Sequence, residues 1–64
     1  MASAGELRTA LNNIRNASTP AAKTAAKSVA QTLGAQTALE IGDRTARGQF
    51  VTSYEDDINT AMGG

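Results

Sequence analysis

The chain has no cysteine, no histidine and no tryptophan, and it has one proline, one phenylalanine and one tyrosine in 64 residues. Without cysteine there is no disulfide staple and no thiolate ligand for a metal. Without histidine the commonest general base and metal ligand is missing. Charge of one sign is missing too: six basic residues balance six acidic ones, for a formal net charge of zero. Nucleic-acid binders draw most of their affinity from phosphate contacts and show a basic excess, so a nucleic-acid partner is disfavoured. The same balance leaves no polybasic membrane address. No apolar run approaches the roughly 20 residues needed to span a bilayer, so no membrane association is expected. The N-terminal stretch MASAGELRTAL has neither a basic n-region nor an apolar h-region, so no secretion signal is expected. An intracellular location, or one inside a virus particle, fits these absences and the lack of cysteine.

Bulky apolar side chains are also scarce. Apart from Met1 they number twelve, from Leu7 to Met62, in a chain otherwise rich in Ala, Thr, Asn, Gln and Gly. A domain of this length buries only about 60% of the surface its unfolded chain exposes. Small proteins with thin cores draw support from disulfides, a metal or another chain. Neither a disulfide nor a thiolate or imidazole metal site is available here, which leaves a protein partner or self-association as the expected support.

What is present reads as helices. Ser3-Ala-Gly-Glu6 has the form of a capping box, and Leu7, Leu11 and Ile14 follow at helical spacing. These predict a first helix over residues 4–16. Thr19-Pro20 reads as an N-cap followed by a proline at the first helical position. A second helix then runs to Leu33, with Gly34 placed to close it in the left-handed conformation. Its expected inner face is Ala22, Ala26, Val29 and Leu33, flanked by Ala25 and Ala30. Lys23 and Lys27, four apart, read as a solvated face rather than a phosphate-contacting pair.

The third segment admits two readings. In one, Gln36–Ile41 is a short helix stopped by Gly42, and Asp43 caps a long helix through Arg44 and Arg47 to Met62, interrupted by Gly48. In the other, a short β-hairpin lies between residues 38 and 53, since Leu39 and Ile41 alternate and QFVTS is β-prone. Ser53 would then cap a short final helix, with Glu55, Asp56 and Asp57 near its positive end. The unbroken spacing of Phe50, Tyr54, Ile58 and Met62 favours the helical version. The expected fold class is therefore mainly α: two or three short helices in one small domain over residues 1–64, with 63–64 frayed and the hairpin as the alternative.

Chemistry-bearing patterns are weak. A serine or threonine nucleophile would need a Lys or carboxylate base in a desolvated pocket, which so short a chain is poorly able to build. Glu55-Asp56-Asp57 could supply paired carboxylates, but helical neighbours point in different directions, so a helix-start or solubility role is expected. The cluster also lacks the spacing of a calcium loop. Gly42-Asp-Arg-Thr-Ala-Arg-Gly48 does not match a phosphate-binding loop. Arg44 and Arg47 share one helical face and are expected to pair with Glu40, Asp43 or acids of a neighbouring chain. VAQTLGAQTALEIG loosely resembles the turn of a helix-turn-helix, with Ala30 and Gly34 as its small residue and turn glycine and Gln36 and Thr37 opening a recognition helix. The buried aliphatic that pattern wants six residues on is instead Glu40. Asn16-Ala-Ser18 matches a glycosylation acceptor, a chance match where no secretion signal precedes it.

The richest apolar concentration is QFVTSYEDDINTAM, residues 49–62. Phe50, Tyr54, Ile58 and Met62 form one helical stripe, with Val51 beside it. A stripe of this kind needs cover, so Phe50, Val51, Tyr54, Ile58 and Met62, with Arg44 and Arg47, are the candidate partner-binding residues. No catalytic, cofactor-binding or metal site is expected, and no small-molecule substrate. The expectation is a non-enzymatic structural or assembly protein, docking on copies of itself or on larger proteins, with a phage particle as the best-fitting assembly. The alternatives are a small helix-turn-helix-like DNA-binding regulator and an inhibitor acting by surface occlusion.

Overall fold

The computed structural model describes residues 3–63. It contains three helices, α1 (Ala4–Asn16), α2 (Pro20–Leu39) and α3 (Arg44–Ala61), and no strand among the described residues. Local chemistry sets their starts. The Ser3 hydroxyl accepts from the Glu6 amide at 3.1 Å and the Glu6 carboxylate accepts from the Ser3 amide at 3.3 Å, closing the capping box. Thr19 accepts from the Ala22 amide at 3.1 Å, with Pro20 at the first helical position. Asp43 accepts from the Ala46 amide at 2.7 Å, a charge-assisted cap that satisfies a first-turn donor and matches the positive helix end.

Connections of three and four residues fold successive helices back on one another. Ile14, wholly buried, sits at the centre of the shared core. Leu11, Ala10, Ala30, Tyr54, Ile58 and Ala61 surround it, and Leu7, Ala26, Leu33, Phe50 and Met62 pack against them. Each helix therefore contributes to one core. The Lys23 ammonium donates to the Ile14 carbonyl at 3.0 Å, so α2 caps the end of α1 with a side chain. Lys23 is half-buried and is part of the packing, not the solvated face expected of it.

Three expectations are corrected. First, α2 does not close at Gly34. It runs through this residue to Leu39, so the separate Gln36–Ile41 helix and the helix-turn-helix bend at Gly34 are both absent. Gly34 is there for room: a Cβ on it would lie 2.8 Å from Tyr54 Cδ2 and 3.1 Å from Cε2. The left-handed closing role falls to Gly63 instead, with φ 92° and its amide donating to the Thr60 carbonyl at 3.0 Å. Gly64 lies outside the described residues.

Second, the inner face of α2 is rotated from the one expected. Ala30, Gly34 and Ala38 are buried, whereas Ala22 is exposed and Val29 is 56% exposed. The small residues win because they let the Tyr54 ring lie against the α2 backbone. Third, the alternative of a hairpin between residues 38 and 53 is absent, and the favoured long helix capped by Asp43 holds. Asp43 starts a helix that continues through Gly48, which places Glu55, Asp56 and Asp57 on the exposed side of its second half, far from its positive end.

Candidate functional site: the groove between α2 and α3

Because α2 is narrow where it meets α3, the two helices leave a trough between them of about 540 Å³. Its floor is Gly34 and Ala38 from α2 with Tyr54 and Ile58 from α3. Phe50 and Val51 form the apolar wall, and Lys27, Gln31, Glu55 and Asn59 supply a polar rim. The Phe50 and Tyr54 rings are stacked, with centroids 5.7 Å apart and planes 11° from parallel. An offset stack of this kind adds to area burial and carries aromatic surface from the core out to the half-exposed wall.

Tyr54 organises the site. Its ring rests on Gly34, and its hydroxyl donates to the Leu7 carbonyl of α1 at 3.0 Å, so one side chain ties all three helices. Burial of the phenol raises its pKa above the ordinary 10.0, and the nearby Asp57 carboxylate raises it further. The group is therefore a neutral hydrogen-bond donor over the physiological range. No buried side-chain nitrogen or oxygen among the described residues lacks a partner, and no group of acidic side chains there is arranged to hold a metal ion. The trough offers apolar contact from Phe50, Val51 and Ile58 and a mixed polar rim.

Of the residues singled out from sequence, Phe50, Val51, Tyr54 and Ile58 come together at the trough. They do so unequally. Tyr54 and Ile58 are sealed as floor by the chain's own helices, at 7% and 3% exposure. Phe50, Val51 and Met62 are half-buried, Met62 against the core at the end of α3. The stripe is thus mostly covered from within, and its open part narrows to Phe50 and Val51. Arg44 and Arg47 are not part of the trough. The Arg47 guanidinium donates from Nε to the Ile41 carbonyl at 3.1 Å, bracing the loop before α3. Arg44 lies in a shallow surface dip with Gln49, Ser53 and Asp56.

The α2 half of the trough escaped sequence reasoning. The signal that could have found it is Ala26, Ala30, Gly34 and Ala38 at strict four-residue spacing, a line of small residues that permits close approach. No family model, curated protein or solved structure matches the chain. No helix among the described residues is long and apolar enough to cross a membrane.

Proposed function

We propose that this chain is a non-enzymatic structural or assembly subunit that docks on copies of itself or on larger proteins. The observation that carries the reading is apolar surface left open after the core is complete. The trough keeps Phe50 and Val51 half-exposed on its wall, while Leu39 stands 84% exposed at the end of α2. Such surface is worth most when another protein covers it. The thin core is completed from within at Tyr54 and Ile58, which α1 and α2 already seal. Low charge with abundant Ala, Thr, Asn, Gln and Gly supports a virus particle, specifically a phage, as the larger assembly.

The test is the sedimentation of the epitope-tagged full chain in extracts of the cells that produce it. The reading expects the chain in a species many times its own mass, released to the top of the gradient by Val51→Lys at unchanged helicity. Recovery of the wild-type chain only as a free small protein would end the reading.

A further inference from the structure

The trough between α2 and α3 is graded from one end to the other. Gly34 meets Tyr54 across it, and the two helices run in opposite directions. Lys27 and Gln31, which precede Gly34 on α2, therefore lie at the same end as Asn59, which follows Tyr54 on α3. Ala38 lies at the other end with Phe50 and Val51. One end thus holds an ammonium and two carboxamides, and the other holds hydrocarbon and an aromatic ring. The Tyr54 hydroxyl is turned away to the Leu7 carbonyl, so the floor between the two ends is ring and backbone. From Lys27 to Ala38 the trough runs about 16 Å along α2.

Lys27 is the group that the fold leaves unexplained. It is half-buried, yet it has no hydrogen-bond or ion-pair partner among the described residues. Lys23, one turn earlier and also half-buried, directs its ammonium to the Ile14 carbonyl. A lysine stem lies along apolar surface and holds its charged head at the edge. Here that head stands at the polar mouth of an apolar channel, where it complements an anion that brings its own apolar body. The other charge on the rim is Glu55, four residues nearer the middle than Asn59. Glu55 is exposed, so water and salt screen it from the Lys27 end.

We propose that the trough binds a medium-chain fatty-acid anion. Its carboxylate sits at Lys27, Gln31 and Asn59, and its tail lies over Gly34 and Ala38 against Phe50 and Val51. Gly34 and Ala38, with little or no side chain, let the tail rest on the α2 backbone. The volume of about 540 Å³ falls within the range of small-molecule sites, about 300–1,000 Å³, and the length suits a chain of the size of decanoate. The proposal stands apart from the assembly reading, since a ligand in the trough leaves Leu39 open to a protein partner.

Tyr54 is the single tyrosine and the chain has no tryptophan, so tyrosine emission reports on the trough floor directly. Decanoate and decanol are titrated separately into the purified full chain, each below the concentration at which it aggregates. Decanoate should give a saturable change and bind about tenfold more tightly than decanol. Octanoate, two methylenes shorter, should bind about tenfold more weakly than decanoate. In Lys27→Met, which keeps the stem and removes the charge, decanoate and decanol should bind alike at unchanged helicity. Glu55→Gln should tighten decanoate about twofold and leave decanol unmoved. No saturable change with decanoate up to about 1 mM overturns the proposal. So does a Lys27→Met chain that binds decanoate as tightly as wild type, because the head then lies elsewhere. Equal binding of decanol and decanoate to the wild-type chain would mean apolar partition without a head-group site, and overturns it too. In any of those cases a particle-bound chain in cell extracts would leave the assembly reading standing.

Discussion

Besides Gly5 in the first turn of α1, two glycines sit inside helices, Gly34 in α2 and Gly48 in α3, and their surroundings are opposite. A methyl group added at Gly34 would run into the Tyr54 ring at 2.8 Å, whereas one added at Gly48 would meet nothing within 4 Å. Glycine weakens a helix interior by about 1 kcal/mol relative to alanine wherever it stands. At Gly34 the weakening is offset by a contact between α2 and α3 that no other residue allows. At Gly48 the structure offers no such return. The same residue thus marks a point of tight packing in one helix and open surface in the other, and only the tertiary fold tells them apart.

The sharpest way to break this contrast is one substitution made at both sites. Gly34→Ala gains helix propensity but must displace a buried aromatic held at its far end by the bond to Leu7. Overpacking of this kind costs about 1–3 kcal/mol, and the gain in propensity returns about 1 kcal/mol, so the net loss should reach up to about 2 kcal/mol. For a domain this small that lowers the melting midpoint by about 4–8 °C per kcal/mol, measurable by circular dichroism. The cause is tested by repeating the change in a Tyr54→Leu background. With the ring gone, Gly34→Ala should become neutral or stabilising. A loss that persists unchanged would mean that the clash is not its origin.

How much of this was legible depended on how far the cause lies from its residue. Ser3 and Glu6, Thr19 and Pro20, and Asp43 act within one turn of themselves, and the starts of all three helices could be read from them. The end of α2 could not, because the partner of Gly34 is Tyr54, twenty residues on, and a glycine after Leu33 looks locally like a helix stop. Hydrophobicity misled for a related reason. Val29 drew the inner face toward itself, yet a seam that must admit a tyrosine ring selects Ala30, Gly34 and Ala38, whose small size is their contribution. At the candidate site, the α3 wall was visible as the run from Phe50 to Met62. That Tyr54 and Ile58 are covered from within was not, since a stripe read alone does not say which surface meets it.

A smaller effect tests the other end of the same tyrosine. Tyr54→Phe keeps the ring on Gly34 and removes only the hydroxyl bond to Leu7. The Leu7 carbonyl also has the Leu11 amide within α1, so it is not orphaned, and the loss at neutral pH should be about 1 kcal/mol. The pH dependence gives the sign. The folded pKa of Tyr54 is raised, by burial first and by Asp57 second. A group so raised contributes stability that is fully present below its unfolded value, near 10, and is lost as pH rises through the folded value. The advantage of wild type over Tyr54→Phe should therefore hold to about pH 10 and shrink above it. Tyr54 is the single tyrosine, so phenolate absorbance titrates it alone. A midpoint at or below 10 in the folded chain would contradict its burial against Gly34.

Gly48→Ala should have the least effect, and of opposite sign. Gly48 is exposed, helical and free of neighbours, so alanine there removes unfolded-state entropy and strains nothing. The gain should be about 0.5–1 kcal/mol, read as a rise in the denaturant midpoint at unchanged slope. The value of this small number lies in its pairing with Gly34. If both alanines stabilise, the Tyr54 ring yields easily and the close contact between α2 and α3 is soft. If both destabilise, something covers the Gly48 side of α3 in solution, and that stretch of helix, not the trough, is where a second surface should be sought.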